Sequence, residues 1–207
     1  MNCTIVTGGC LIDASFLLKY IKKSDFIIGV DKGIDQLLNM SKKIDIAIGD
    51  FDSISNNKRL NSKFIKKIVT LNPVKDESDT HAAVDIALSK GAKEIVILSG
   101  IGNRMDHTLS TISLLEKINS IGVEGFVVDK HNRIRYANKV NLILKEYDYF
   151  SLIPLENKVI VTTEGFKYEA EKLQLNFSQS RFLSNELIGE KGTIKVKGRA
   201  LIIESRD

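Results

Sequence analysis

Apolar positions in the first 130 residues follow two alternating rhythms. Short runs rich in β-branched residues, at 3–7, 26–30, 44–48, 68–71, 94–98 and 126–128, predict strands. Longer segments between them carry apolar residues three and four apart, and these predict helices over 13–22, 33–40, 57–64, 80–89 and 106–119. Apolar strands joined by helical connections predict an α/β fold: a layered, mostly parallel sheet with helices on both faces.

Beyond Lys130 the long helical period stops. Short alternating stretches at 133–137, 140–144, 149–154, 158–163, 166–170, 193–197 and 201–204 are separated by turn residues and predict an all-β, sandwich-like or barrel domain. The expected division is therefore 1–130 and 131–207, set by the change of period near 129–132, since no Pro/Gly/Ser-rich linker marks it. No internal repeat and no low-complexity tract interrupts either part.

Composition narrows the class without naming it. With 207 residues, 43% hydrophobic and 27% charged, the chain has the profile of an ordinary globular protein. Two prolines, no tryptophan and no apolar run of the ~18 residues a membrane helix needs exclude collagen-like, Pro-rich disordered and integral membrane classes. The net charge of +4 is spread along the chain, so no nucleic-acid partner is expected. The opening Met1-Asn2-Cys3-Thr4-Ile5-Val6 lacks the basic head and apolar core of a secretory leader, which predicts a cytoplasmic protein. Cys3 and Cys10 are too few for a disulfide framework or a zinc site and suit a reducing compartment.

In a parallel α/β sheet, ligands bind beyond the carboxyl ends of the strands, and there this sequence is acidic. Asp31 follows the second strand, Gly49-Asp50-Phe51-Asp52-Ser53 the third, and Asp76-Glu77-Ser78-Asp79-Thr80 the fourth. In extended backbone Asp50 and Asp52 share a side, with Phe51 facing the other way. Such a pair can share a hard cation; the same tetrapeptide also fits a turn whose carboxylates accept backbone N–H bonds. Asp76, Glu77 and Asp79 equally suit the start of a helix, with Ser78, Asp79 or Thr80 as the cap.

The fifth strand runs into Ser99-Gly100-Ile101-Gly102-Asn103-Arg104-Met105-Asp106-His107. Glycines between a strand and a helix let backbone amides approach phosphate, and Arg104 offers a forked donor; the Gly8-Gly9 turn after the first strand is a second such place. Neither is a Walker A loop or a full dinucleotide fingerprint. Acidic loops beside glycines and an arginine describe a magnesium and polyphosphate site.

These motifs resemble the thiamine pyrophosphokinase family. The resemblance rests on Asp31-Lys32-Gly33 with Leu37, on Gly49 to Ile54, on Lys75 to Thr80, on Gly100 to His107, and on Gly165-Phe166-Lys167-Tyr168 with Ser184-Asn185. It implies an N-terminal α/β catalytic domain that binds metal and nucleotide, and a C-terminal β-sandwich domain for thiamine binding and dimerisation. The enzyme would be a homodimer with thiamine held where the subunits meet. The implied reaction moves a pyrophosphoryl group from ATP to the thiamine hydroxyl, releasing AMP. By the same resemblance Asp50, Asp52 and Asp79 would ligate Mg²⁺ with Asp31 beside it. Arg104, Asp106 and His107 would face the nucleotide together with Gly8, Gly9, Gly100 and Gly102, while Tyr168, Ser184 and Asn185 would hold thiamine.

Two departures stand out. The family often carries Gly-Gly-x-Gly-Gly-Arg where this chain has Ser99-Gly100-Ile101-Gly102-Asn103-Arg104; of the two replacements, asparagine at 103 is the milder, since it tolerates positive φ. Tyr168, Phe177 and Phe182 are equal candidates to stack on substrate, and for two of them a place in the β core is the favoured reading. The competing functions are a pyrophosphokinase acting on another acceptor, such as a hydroxymethyl pterin, and a non-catalytic thiamine- or nucleotide-binding regulator.

Overall fold

The computed structural model describes residues 1–51, 57–72 and 76–207, without the side chains of residues 57 and 58. Its chain separates into two compact units, Met1–Lys130 and His131–Asp207.

The first unit contains β1 (Asn2–Val6), α1 (Ala14–Ile21), β2 (Phe26–Val30), α2 (Lys32–Asn39), β3 (Ile46–Gly49), a 3-10 helix (Asn57–Asn61), β4 (Ile68–Thr70), α3 (Asp79–Ser89), β5 (Glu94–Leu98), α4 (Met105–Ser120) and β6 (Glu124–Val128). The six strands are parallel, in the order β4-β3-β2-β1-β5-β6. Ile5, Ile28, Ile48, Ile95 and Ile97 are fully buried, as strands covered on both faces require. The chain winds outward from β1 to β4, then returns to pair β5 on the other side of β1. Adjacent connections therefore leave the sheet in opposite directions between β1 and β5, and a crevice opens there beyond the strand ends.

The helix expected over 57–64 is only the short 3-10 segment. Ile44 N–H donates to the Phe64 carbonyl at 2.8 Å and Lys66 N–H to the Ile44 carbonyl at 2.9 Å, so pairing with the lead-in to β3 takes over from residue 64. Tertiary pairing has overridden local propensity.

The second unit holds β7 (Asn132–Tyr136), β8 (Val140–Leu144), β9 (Tyr149–Pro154), β10 (Val159–Glu164), β11 (Leu173–Leu175), β12 (Lys191–Lys197) and β13 (Ala200–Ser205). Two antiparallel sheets, β7-β13-β9 and β11-β10-β12-β8, pool their inward side chains in one core. Phe150 stands at its centre, 5.1 Å from the Phe166 ring and 6.3 Å edge-on from Phe182. The strand expected at 166–170 is absent. Gly165 turns the chain at φ 84°, its N–H held by Glu169 Oε1 at 2.9 Å, and Phe166 makes a single bridge to Leu187. The strand that flanks β10 comes later, as β11. Among the described residues no helix is long and apolar enough to cross a membrane.

Candidate active site

Among the described residues, three of the seven non-glycine ones with positive φ follow strand ends in the first unit: Asp31 (47°) after β2, Phe51 (63°) after β3 and Ser99 (57°) after β5. Backbone strain of this kind costs about 1–3 kcal/mol per residue and persists where surrounding packing demands it. At Phe51 the demand is visible, because its ring is buried in the core of the first unit. The neighbouring Asp50 is half-buried at the edge, but the positive φ of Phe51 breaks the extended backbone on which the expected alternation rested.

Asp31 occupies the N-cap position of α2 with φ 47° and ψ −123°, and its side chain does not cap the helix. Its N–H donates to the Ile48 carbonyl at 3.1 Å, tying the end of β2 to β3. A β-carbon placed on Gly49 would stand 2.0 Å from Asp31 Oδ1, so only glycine leaves room for this carboxylate. Asp79 is the first residue of α3; the cap is Ser78, whose Oγ accepts from His81 N–H at 3.2 Å. Carboxylate oxygens of Asp31, Asp50 and Asp79 all lie within 4.8 Å of one another. Three loops thus deliver three half-buried carboxylates to one point, a coincidence that helix capping does not require. Like charges so close repel unless a cation lies among them, and an all-oxygen set of this kind suits a hard divalent ion. Asp52 lies outside the described residues.

A second group joins Glu77, just before α3, to His81 and Asp85 of that helix. It already has its cation: Lys117 Nζ lies 2.6 Å from both Asp85 Oδ1 and His81 Nε2.

Beside Asp31 a cavity of ≈ 620 Å³ opens between the loops after β1 and β5, at the reversal of strand order. That volume falls in the range of about 300–1,000 Å³ typical of small-molecule sites. Gly8, Gly9, Gly100, Gly102, Arg104 and His107 all line it, as do Thr7, Cys10, Leu11, Lys32, Thr80 and Ser99, for which the sequence alone predicts no site role. The glycines have packing reasons to be there. A β-carbon at Gly9 would meet the Ser99 carbonyl at 2.1 Å, and one at Gly102 would meet the Gly9 Cα at 3.3 Å. Gly9 N–H donates to the Ser99 carbonyl at 3.0 Å and Gly102 N–H to Thr108 Oγ1 at 3.1 Å. These two amides are committed within the protein; what the residues offer a ligand is close backbone approach.

The left-handed backbone of this loop falls at Ser99 and not at Asn103. Ser99 is 1% exposed. Its Oγ receives Gln36 Nε2 at 3.2 Å, and Ile12 N–H donates to Gln36 Oε1 at 3.3 Å. Buried Gln36 thereby links α2 to both loops of the cavity. Arg104 is exposed at the start of α4 and grips Asp106 with two bonds, Nη2 to Oδ2 at 2.6 Å and Nε to Oδ1 at 3.3 Å. That contact raises the Arg104 pKa and lowers that of Asp106. His107 Nε2 is 3.9 Å from Asp106 Oδ2.

In the second unit Asn185 is buried and bonded through both ends of its amide. Its Oδ1 accepts from Tyr168 N–H at 3.0 Å and Glu186 N–H at 2.9 Å, and its Nδ2 donates to the Tyr168 carbonyl at 2.8 Å. Its side chain thus shapes the Gly165–Tyr168 turn. Ser184, at φ 53°, is exposed, with its N–H on Ser151 Oγ at 3.0 Å. Of the three aromatic candidates only Phe182 is core; Tyr168 and Phe177 are each 63% exposed. The expectation of two core rings fails because the 166–170 segment is a turn that leaves Tyr168 outward.

With this geometry in view, two family models match the chain. One, described as "Thiamin pyrophosphokinase, catalytic domain", covers residues 17–125; the other, "Thiamin pyrophosphokinase, vitamin B1 binding domain", covers 132–201. The chain belongs to the thiamine pyrophosphokinase family. Thiamine pyrophosphokinase of Bacillus subtilis is 32% identical over 209 residues, with 98% of each chain covered. Thiamin pyrophosphokinase 1 of Caenorhabditis elegans is 30% identical over 181 residues, covering 80% of this chain and 72% of its own. The crystal structure of the Bacillus subtilis enzyme superposes with a TM-score of 0.87 over the whole of both chains. That of the Geobacillus thermodenitrificans thiamin pyrophosphokinase, 28% identical, gives 0.87 over 100% of this chain and 98% of its own. In this thiamine pyrophosphokinase family member, the carboxylate cluster and the cavity both fall in the unit matched by the catalytic model.

Proposed function

We propose that this chain transfers a pyrophosphoryl group from ATP to the hydroxyl of thiamine, giving thiamine diphosphate and AMP. The observation that carries the reading is the meeting of Asp31, Asp50 and Asp79, of which Asp31 also lines a cavity that takes in Arg104 and His107.

In this reading residues 1–130 bind nucleotide and metal, and residues 131–207 bind thiamine and dimerise. Asp31, Asp50 and Asp79, joined by Asp52, would hold Mg²⁺, which fits a site made only of carboxylate oxygens. When bound, the ion supplies positive charge against the polyphosphate oxygens. The cavity receives ATP, with Gly8, Gly9, Gly100 and Gly102 allowing its phosphates close to the backbone. Arg104 keeps N–H groups beyond its contact with Asp106 and directs them at the polyphosphate, while Asp106 and His107 orient it. The thiamine hydroxyl attacks the β-phosphorus in line, the bond to the α-phosphate oxygen breaks, and AMP leaves. The hydroxyl proton passes to a carboxylate, Asp31 or Asp79. Catalysis of this type comes from positioning and charge. On the thiamine side Ser184 and Tyr168 contact the substrate, and Asn185 acts by fixing the Tyr168 backbone. The working form is a cytoplasmic homodimer with thiamine at the subunit boundary.

The test is formation of AMP and thiamine diphosphate from ATP, Mg²⁺ and thiamine, with EDTA as control and a hydroxymethyl pterin as rival acceptor. Product with thiamine and metal alone supports the reading. Turnover with the pterin overturns the acceptor assignment, and ligand binding without AMP release favours a regulator. Sizing of the active species by light scattering tests the dimer.

A further inference from the structure

The cavity beside the carboxylates is short of positive charge for the ligand it is proposed to hold. Among the described residues its permanently cationic ones are Lys32 and Arg104. Arg104 has its Nε and one terminal nitrogen taken by Asp106, so the pair together is neutral. Asp31 adds a negative charge on the same wall. ATP carries several negative charges on its polyphosphate; the charges of these groups sum to zero, so wherever no metal intervenes the wall offers it no net attraction, and the positive charge not already paired is that of Lys32.

We propose that Lys32 is a second cation that meets the polyphosphate, beside Arg104. It is exposed, stands at the first position of α2 directly after Asp31, and lines the cavity. Among the described residues none pairs with its ammonium group. A β-carbon on Gly8 would come within 3.2 Å of Lys32 Cβ, so the turn after β1 closes over the foot of the side chain and fixes where it leaves the wall. Beyond that foot the four-carbon stem and three rotatable donors of a lysine can follow phosphate oxygens. Asp31 and Lys32 would then divide the work at one helix start: the carboxylate turned toward the acidic cluster, the ammonium toward the phosphates. Because Lys32 touches no other described side chain through its charge, its role is substrate contact and not support of the fold.

This inference rests on the cavity being the nucleotide site, and the experiment separates the two. Binding of ATP and of AMP is measured by calorimetry with Mg²⁺ and without thiamine, on the full chain and on K32M and K32R. The expected result is a loss of about 10- to 100-fold in ATP affinity for K32M, the size of one hydrogen bond to a charged group. AMP affinity stays unchanged, K32R recovers most of the loss, and the melting temperatures of the three proteins agree. ATP binding by K32M as tight as that of the unaltered chain, or an equal loss for AMP, overturns the role of Lys32 while leaving the nucleotide site standing. Absence of ATP binding by the unaltered chain overturns the nucleotide site and the role of Lys32 with it.

Discussion

The carboxylate of Asp31 lies where a side chain on Gly49 would begin, with Oδ1 2.0 Å from that β-carbon position. One residue's chemistry thus depends on another's lack of a side chain. Gly49→Ala forces Asp31 out of the cluster, and the displaced atom is the far end of a side chain that can swing away. With the φ of 156° at Gly49 adding strain for any L residue, the fold should survive with a loss of about 1–3 kcal/mol, while Mg²⁺-dependent turnover falls by at least about tenfold, the effect of misplacing a positioning group. Thermal melting beside an AMP-release assay checks both; full activity in the variant would remove Asp31 from the site.

Asp31 also carries a left-handed backbone and one of three crowded negative charges. Asp31→Gly relieves both, so the metal-free protein is expected to melt higher than the unaltered chain, by up to about 1 kcal/mol after the added flexibility of glycine. Activity should fall sharply, and the stabilisation that Mg²⁺ confers on the unaltered protein should shrink, since an ion that binds only the folded state raises its melting point. A variant less stable than its parent without metal would show that the strain and the repulsion are already relieved by other contacts.

Much of this site was legible because one topological rule places residues that follow parallel strands at the same sheet edge. That rule alone brings Asp31, Asp50 and Asp79 together from three distant segments, and the structure adds the crevice between β1 and β5. The illegible parts depend on tertiary contacts. Nothing local indicates that Ser99 rather than Asn103 takes positive φ; the choice follows from the buried bond to Gln36, which is 63 positions away. Asn185 looks from its chemistry like a ligand-binding amide, yet its oxygen and one of its N–H groups hold a turn 17 residues earlier. The alternation at 166–170 imitates a strand that the Gly165 turn prevents. Lys32 lay beside a recognised residue, and only the cavity wall distinguishes it from a solvated helix lysine.

Gln36 is the buried link among α2, the Thr7–Ile12 segment and Ser99. Gln36→Leu keeps the bulk and removes the amide, leaving Ile12 N–H and Ser99 Oγ short of a partner. The expected loss is about 1–3 kcal/mol of stability, with the Michaelis constant for ATP raised and that for thiamine little changed. Equal effects on both substrates would argue for general loosening over loss of the cavity loops.

Asn185→Ala removes three hydrogen bonds that hold the Tyr168 backbone and Glu186 N–H. The variant should lose about 1–3 kcal/mol of stability and bind thiamine more weakly, with ATP affinity kept. Calorimetry with each substrate separates these effects. Loss of ATP binding alone would reverse the division of labour between residues 1–130 and 131–207.

The two cysteines report on fold and cavity independently. Cys3 is 1% exposed and Cys10, on the cavity wall, is open. In the native protein a thiol reagent should label Cys10 only, and saturating ATP with Mg²⁺ should slow that labelling. Burial, reinforced by the nearby Asp45 charge, pushes the Cys3 thiol up to about 12 from the ordinary 9.0. The folded state therefore keeps a proton that the unfolded chain gives up above pH 9.0, so Cys3 contributes stability that is intact below that pH and is lost as pH rises toward about 12. Denaturant midpoints across this interval should fall less steeply for Cys3→Ala than for the unaltered chain, apart from a constant offset for the cavity it leaves. Parallel pH curves would mean the thiolate is tolerated inside the sheet, and rapid labelling of Cys3 in the native state would mean that β1 opens far more readily than its fully buried neighbours allow.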